Sequence, residues 1–375
     1  MQSVVRWVSI ISSLAISAWF VAPRIIEWGL LPDFTVFWAA AKFALTTPHK
    51  VYDIAAMGSA QAWAIAPSKG PRPFPYPPTA LLVVAPFGLL PFWAAYWSWT
   101  LLSIAAFWSA VRRVASGWAI PLAIAMPHSV LVLLLGQTTL FAASATIWAI
   151  SLLDRRPAVA GVLFGLVAGF KPQSVLLAPL VFLRLRNWRC VASAAAGFGC
   201  LCAASLIFGA GLWPSWIAAL GAHPQMVSHY HLEIIGATPR MAAIGLHLDT
   251  RAIALFQLLG ILAGASIAWV GFGSTNALVR LQCFVIGCLL ASPYAMRYEL
   301  ATIAPVLATA MIKAEPRSIL IALPTYAFDA VSVVASTIVS SVTSLIDQHL
   351  GSRAARASEG DGTVPCTLEA RASPE

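Results

Sequence analysis

Residues 114–153 read VASGWAIPLAIAMPHSVLVLLLGQTTLFAASATIWAISLL, between Arg112-Arg113 on one side and Asp154-Arg155-Arg156 on the other. No Asp, Glu, Lys or Arg interrupts this run. A helix that crosses a bilayer needs about 20 apolar residues, so the run is long enough for two, turning at polar Gly136-Gln137. A membrane β-barrel would require strict alternation of apolar and polar residues. This stretch does not alternate, so the fold it points to is helical.

Working outward, the same pattern recurs. Trp7–Pro23, Pro73–Val111 and Ala252–Val279 are also free of Asp, Glu, Lys and Arg. Over the 375 residues, hydrophobic side chains make up 59% and charged ones 10%, against roughly 25% charged in soluble domains. Mean hydropathy is +0.81, so the apolar excess is global rather than confined to one anchor. The net charge is +9, but no basic stripe with interleaved aromatics stands outside the apolar runs, which argues against nucleic-acid binding. Five of the six cysteines (Cys190, Cys200, Cys202, Cys283 and Cys288) lie in or beside apolar runs, and Cys366 lies near the C-terminus. With no CxxC and no Cys/His ligand spacing, they read as small packing residues, and no metal or cofactor is expected.

Basic residues cluster in short segments between the apolar runs, as in cytoplasmic loops. Arg6 puts the N-terminus inside, followed by an uncleaved first helix near 4–22. Arg112-Arg113, Arg155-Arg156, Arg184, Arg186, Arg189, Lys313 and Arg317 then fall inside. Outer loops are expected at about 23–75 and 210–250. The run 79–111 is long for one span, and Pro86 and Pro91 are placed to break it. The expectation is an all-α, polytopic transmembrane protein with a single domain over residues 1–350 and about 9–12 spanning or half-spanning helices. A polar tail, 351–375, is expected to be disordered. The corresponding location is a cell membrane crossed many times, a bacterial inner membrane.

This bookkeeping brings Asp33, Gln137, Lys171, the histidine-bearing loop (His223, His229, His231, Glu233, Arg240) and Arg297-Tyr298-Glu299 to one outer face. Asp33 opens a plausible amphipathic helix, 34–45, and suits an N-cap. It also suits a general base, because a poorly solvated carboxylate takes up a proton more readily. The two roles are compatible. Lys171, in Gly169-Phe170-Lys171-Pro172-Gln173, reads either as a partner for a lipid phosphate or as a lysine snorkelling to the headgroups. Arg297, Tyr298 and Glu299 read as an anion-binding cluster or as an interfacial salt bridge with an aromatic anchor. The three histidines lack a usual zinc spacing, Asp53 reads as structural, and no nucleotide-binding glycine motif is present.

Four ordered segments carry a resemblance. They are Pro32-Asp33-Phe34 through Phe37-Trp38 to Val51-Tyr52-Asp53; Phe74-Pro75-Tyr76-Pro77-Pro78 with Leu90-Pro91; Gly136-Gln137, Arg156-Pro157, Ala160-Gly161 and Phe170-Lys171-Pro172-Gln173; and Ser292-Pro293 with Tyr298-Glu299. Together they resemble glycosyltransferase family 87, polyprenyl-phosphate-mannose-dependent mannosyltransferase-like membrane proteins of the GT-C superfamily. The resemblance implies a GT-C-like fold and an inverting transfer, outside the membrane, from a polyprenyl-phosphate sugar to a lipid or glycan acceptor. It implies a catalytic acid after the first helix, the position of Asp33. The fourth segment departs from the pattern. Relatives often carry histidine after Ser-Pro and aspartate after the later tyrosine, where this chain has Tyr294 and Glu299.

On this reading Asp33 activates the acceptor hydroxyl. Lys171, Arg297, Tyr298 and Gln137 surround the donor phosphate, and Trp38, Tyr76 and Glu299 line the substrate. A phosphate is already a good leaving group and needs charge stabilisation more than protonation. The rival functions are a transporter or flippase for a lipid-linked solute and a non-catalytic family member. Transporters often show repeated halves and midplane ionisable residues, whereas no repeat is visible here and the polar residues gather at one face.

Overall fold

Prolines and side-chain caps set most element boundaries in the computed structural model, which describes residues 11, 32–65, 71–229 and 236–313. The expected helix near 4–22, the weaker segments over 317–345 and the tail from 351 lie outside the described residues, as do His231 and Glu233. So do the side chains of His223 and His229.

Helix α1 spans Pro32–Thr46 and α2 spans Ile54–Gln61. Asp53 caps α2, accepting from the N–H groups of Ala55 and Ala56 at 2.9 and 3.1 Å, the structural role its sequence context suggested. An extended Pro-rich segment, 71–77, leads to a 3-10 turn and the single-turn helix α3, Leu81–Val84. Pro91 then separates a second 3-10 stretch from α4, Phe92–Val111, so the prolines do divide the long run.

The decisive stretch 114–153 folds as α5 (Ala119–Ala125), α6 (Pro127–Leu135) and α7 (Thr139–Leu152). Met126 adopts extended backbone, because a residue before proline is pushed out of the helical region. That divides the first expected helix in two. Gly136 ends α6 at φ +68°, and a Cβ there would lie 2.4 Å from Cβ of Phe34. Conformation and space therefore both demand glycine at this turn.

The remaining helices are α8 (Pro157–Phe170), α9 (Ala178–Leu185), α10 (Trp188–Ser205), α11 (Leu212–His229), α12 (Pro239–Gly245), α13 (Thr250–Gly271), α14 (Ala277–Ala291) and α15 (Ala304–Lys313). Among the described residues there is no strand, only an isolated antiparallel bridge between Gly236 and Met296. Helices α8 and α10 pack closely, as do α13 and α14, and α7 lies against α4 and α8.

Two spans among the described residues are long and apolar enough to cross a membrane: Trp188–Phe208, which is α10 with the 3-10 turn after it, and Thr250–Gly271, α13. Shorter apolar helices of 10–17 residues include α7, α8 and α14. Large apolar side chains stand exposed along α4 (Trp93, Trp97, Leu101) and α13 (Leu258, Leu262, Val270).

The segments expected as outer loops hold helices where described: α1, foreseen over 34–45, and α2 within 23–75, and α11 and α12 within 210–250. One expectation needs correction: α1 is not an amphipathic surface helix. Phe34, Thr35, Val36, Phe37, Ala39, Ala40, Ala41 and Ala44 are all buried. Its Phe37 stacks on Trp99 of α4 at 5.8 Å, and Phe34 meets Phe92 and Tyr96 edge-on at 5.4 Å. Aromatic neighbours from α4 thus cover a helix that was expected to lie in the interface.

Candidate active site

Asp33 sits inside the first turn of α1, not before it, which corrects the N-cap expectation. Its carboxylate instead reaches across the fold. Oδ2 accepts from Nε2 of Gln137 at 2.7 Å, and Oδ1 pairs with Nη1 of Arg72 at 3.2 Å. The Asp33 side chain keeps 21% of its surface exposed and that of Arg72 27%. Two of roughly four acceptor positions on a carboxylate are thus engaged.

Gln137 is buried in the turn between α6 and α7, and all its hydrogen-bonding capacity has a direction. Nε2 donates to Asp33 and, at 3.2 Å, to the Tyr298 hydroxyl. Oε1 accepts from the Tyr76 hydroxyl at 3.0 Å and from the backbone N–H of Thr138 at 3.2 Å. The N–H of Thr138 can only donate, so it fixes which end of the amide is oxygen and leaves the NH2 to face Asp33. Tyr76 in turn accepts from Thr138 Oγ1 at 3.3 Å. Burial pushes the Tyr76 and Tyr298 phenols well above the ordinary tyrosine range. Both therefore stay protonated and keep a proton to donate.

Lys171 anchors the far side. It precedes Pro172, which forces it out of helical geometry at φ −146° and ends α8 there. The side chain turns inward and is fully buried. Its ammonium meets Glu299 Oε1 at 2.7 Å and Thr139 Oγ1 at 2.6 Å, and lies 5.2 Å from the centre of the Tyr298 ring. Burial pulls the Lys171 ammonium below the ordinary lysine range, and the Glu299 carboxylate opposes that. Glu299 Oε2 accepts from Ser174 Oγ at 3.3 Å. The snorkelling picture is therefore corrected: the ammonium is held inside the protein, and its charge is neutralised by Glu299 rather than presented to headgroups.

Asp33, Tyr76, Gln137, Lys171, Tyr298 and Glu299 thus form one connected network, and Arg297 is buried beside it in the same 3-10 turn, Arg297–Ile303. Trp38 is not drawn in. It lies five residues along α1 from Asp33, roughly on the opposite side of the helix. Its indole N–H donates to Leu90 O at 3.1 Å within an aromatic cluster with Trp63 and Phe92. The histidine-bearing loop contributes no described side chain to the network.

Sequence reasoning missed Arg72, the partner of Asp33, and the hydroxyls of Thr138, Thr139 and Ser174. The available signal for Arg72 was its place as the one cation in the Pro-rich stretch. Away from the network, other basic side chains find partners of their own. Arg280 pairs with Asp154 at 2.7 Å, Arg113 lies 4.6 Å from the Trp148 ring, and Arg184 lies 5.4 Å from the Trp269 ring.

Comparison with known proteins bears directly on this network. The sequence profile of glycosyltransferase family 87 matches residues 74–293, more than half of the chain. The chain belongs to glycosyltransferase family 87. The region that carries the family match holds Tyr76, Gln137, Lys171 and Ser174, whereas Asp33, Arg72 and residues 297–299 lie outside it and join it through the contacts above. A curated relative is the polyprenol-phosphate-mannose-dependent alpha-(1-2)-phosphatidylinositol pentamannoside mannosyltransferase of Mycolicibacterium smegmatis, 30% identical over 237 residues. The aligned stretch is 58% of this chain and 52% of that relative, so the chain spans about half the length of the relative it matches. No solved structure matches. The Glu299 carboxylate reaches Lys171 and Ser174 at once.

Proposed function

We propose that this family 87 protein is a multi-pass cell-membrane glycosyltransferase. It moves a sugar, mannose or another hexose or pentose, from a polyprenyl-phosphate donor to a lipid or glycan acceptor on the non-cytoplasmic face. The exposed apolar faces of α4 and α13 support the membrane setting, since soluble monomers rarely expose contiguous apolar patches larger than a few hundred Å2. The named relative supports the donor class. The observation that carries the catalytic assignment is Asp33, a partly exposed carboxylate at the rim of a buried network, held by Gln137 on one oxygen and by Arg72 on the other.

In the proposed step, the acceptor hydroxyl gives its proton to Asp33 while its oxygen bonds to the anomeric carbon. The bond from that carbon to the phosphate oxygen breaks on the opposite side, its electron pair leaves with polyprenyl phosphate, and the centre inverts. Gln137 and Tyr298 orient the base. Lys171 and Glu299 hold Tyr298 from behind, which recasts Lys171 as a clamp rather than a direct phosphate ligand. Buried Arg297 adds positive charge near the turn.

The test is turnover by the purified full-length protein of a radiolabelled polyprenyl-phosphate mannose, followed by release of the product glycan. A product of inverted anomeric configuration is expected. A folded protein that transfers no sugar from any polyprenyl-phosphate hexose or pentose, with membrane-extract acceptors supplied, overturns the reading.

A further inference from the structure

We propose that Arg72 is the direct ligand of the donor phosphate, and that binding of the phosphate draws Arg72 off Asp33 and so releases the base. The proposal rests on the glycosyltransferase reading above and adds a residue and a coupling to it. Three observations converge. First, the other cations near the network are poorly placed to meet a lipid phosphate. Lys171 is fully buried with its charge neutralised by Glu299, and Arg297 is 2% exposed. Arg72 is 27% exposed and touches the reacting carboxylate itself. Second, Arg72 is positioned by its backbone rather than by its charge. Buried Gln61 clamps it on both sides: Nε2 donates to the Arg72 carbonyl at 2.7 Å and Oε1 accepts from its N–H at 3.2 Å. The guanidinium can therefore exchange partners without the segment moving. The clamp needs the neighbouring chain close, and Gly58 provides the room, since a Cβ there would lie 2.7 Å from Cβ of Pro71. Third, the pair uses a single guanidinium nitrogen at 3.2 Å, long for a charged hydrogen bond. The donor's phosphodiester carries two non-bridging oxygens, and the polyprenyl phosphate it becomes carries three, so either offers a bidentate partner that suits arginine better.

The exchange links two events that the transfer needs at the same moment. Phosphate takes the guanidinium, which stabilises the charge that gathers on the leaving phosphate as the sugar bond breaks. Oδ1 of Asp33 is thereby vacated for the proton of the acceptor hydroxyl, while Oδ2 stays on Gln137. Without donor, the base remains engaged by Arg72 and a stray water is less readily activated.

The experiment measures binding of sugar-free decaprenyl monophosphate to the full-length protein in detergent, with decaprenol as the uncharged control. Arg72→Gln is expected to weaken binding of the phosphate by about 10- to 100-fold, the value of a charged hydrogen bond, and to leave decaprenol binding unchanged. Asp33→Asn removes the competitor for the guanidinium. It should tighten phosphate binding roughly two- to fivefold, the worth of a partly exposed ion pair, but only when Arg72 is present. That gain reports on Arg72 even if Arg72→Gln folds poorly. Unchanged phosphate binding in Arg72→Gln, or no tightening in Asp33→Asn, overturns the proposal while sugar transfer by the wild type upholds the glycosyltransferase reading. If the folded wild type binds no decaprenyl phosphate, both fall together.

Discussion

Two ion pairs stand on either side of Tyr298, whose hydroxyl meets Gln137 and whose ring meets the Lys171 ammonium, and they differ in what surrounds them. Lys171 and Glu299 meet at 2.7 Å, with side chains 1% and 7% exposed. Thr139 and Ser174 take up further hydrogen-bonding capacity on each partner. Asp33 and Arg72 meet at 3.2 Å with more than a fifth of each side chain in contact with the surroundings. The inner pair has been removed from solvent, so neither charge can be left alone without a large penalty. The outer pair loses little when it opens, because exposed pairs are worth only about 0–1 kcal/mol. A rigid pair behind a labile one is a sensible division of labour. The first fixes where Tyr298 and Gln137 stand, and the second can trade partners with a substrate.

The sharpest break between the two regions should come from Asp33→Asn. If Asp33 is the base, sugar transfer falls about 10²- to 10⁴-fold. Stability should hardly change, since only the partly exposed pair with Arg72 is lost and asparagine can still accept from Gln137. The check is turnover of a polyprenyl-phosphate sugar beside a thermal melt of the same preparation. Normal turnover in a protein that melts like the wild type would leave Asp33 a structural residue of α1.

Glu299→Gln should invert that pattern, with the larger effect on stability. It leaves the Lys171 ammonium buried without its counter-charge, and breaking a buried pair in this way costs about 3–5 kcal/mol. A marked fall in melting temperature is expected. The double variant Lys171→Met with Glu299→Leu should recover much of it, because well-packed apolar replacements for buried pairs are often neutral or better. If Glu299→Gln melts with the wild type, the inner pair is not the rigid element and the contrast between the two regions collapses.

How much of this was legible beforehand follows from the range of the interactions involved. Helix positions in 114–208 and 250–313 were readable because charge-free runs, prolines and glycines act locally. Gly136 and Lys171-Pro172 each mark a break by backbone sterics alone, and the unforeseen break at Met126-Pro127 has the same local cause. The meeting of Asp33, Gln137, Lys171 and residues 297–299 was also foreseeable, since counting basic loops puts them at the same end. The pairings were not. That Glu299 would choose Lys171, and Asp33 would choose Arg72, depends on contacts 128 and 39 residues apart in sequence, fixed only by how the helices pack. The helical character of 210–229 escaped for a different reason. Counting basic clusters assigned 210–250 only to a stretch between spans and said nothing of its helices, and Pro214 falls in the first turn of α11, where a missing N–H is not costly. The buried state of α1 was missed because its aromatic neighbours come from distant α4.

Tyr298→Phe probes the link between the two pairs and carries the smallest expected effect. The ring remains, so the packing against the Lys171 ammonium at 5.2 Å is kept. Only the hydroxyl that accepts from Gln137 is lost. One neutral hydrogen bond is worth about 0.5–1.5 kcal/mol, so stability should drop by no more than that. Gln137 Nε2 would still be held by Asp33 at 2.7 Å and its oxygen by Tyr76 and Thr138. The amide therefore keeps its orientation and loses only one of four restraints. Transfer should fall about two- to tenfold, the range that the same energy spans when felt in the transition state. The fall should appear in kcat rather than in KM for the donor, because Tyr298 orients the base and does not hold the phosphate. A loss as large as that of Asp33→Asn would instead mean that the Tyr298 hydroxyl touches the reacting groups. A rise in KM with kcat unchanged would place it on the donor. Either result would redraw the boundary between the rigid inner region and the exchangeable outer one.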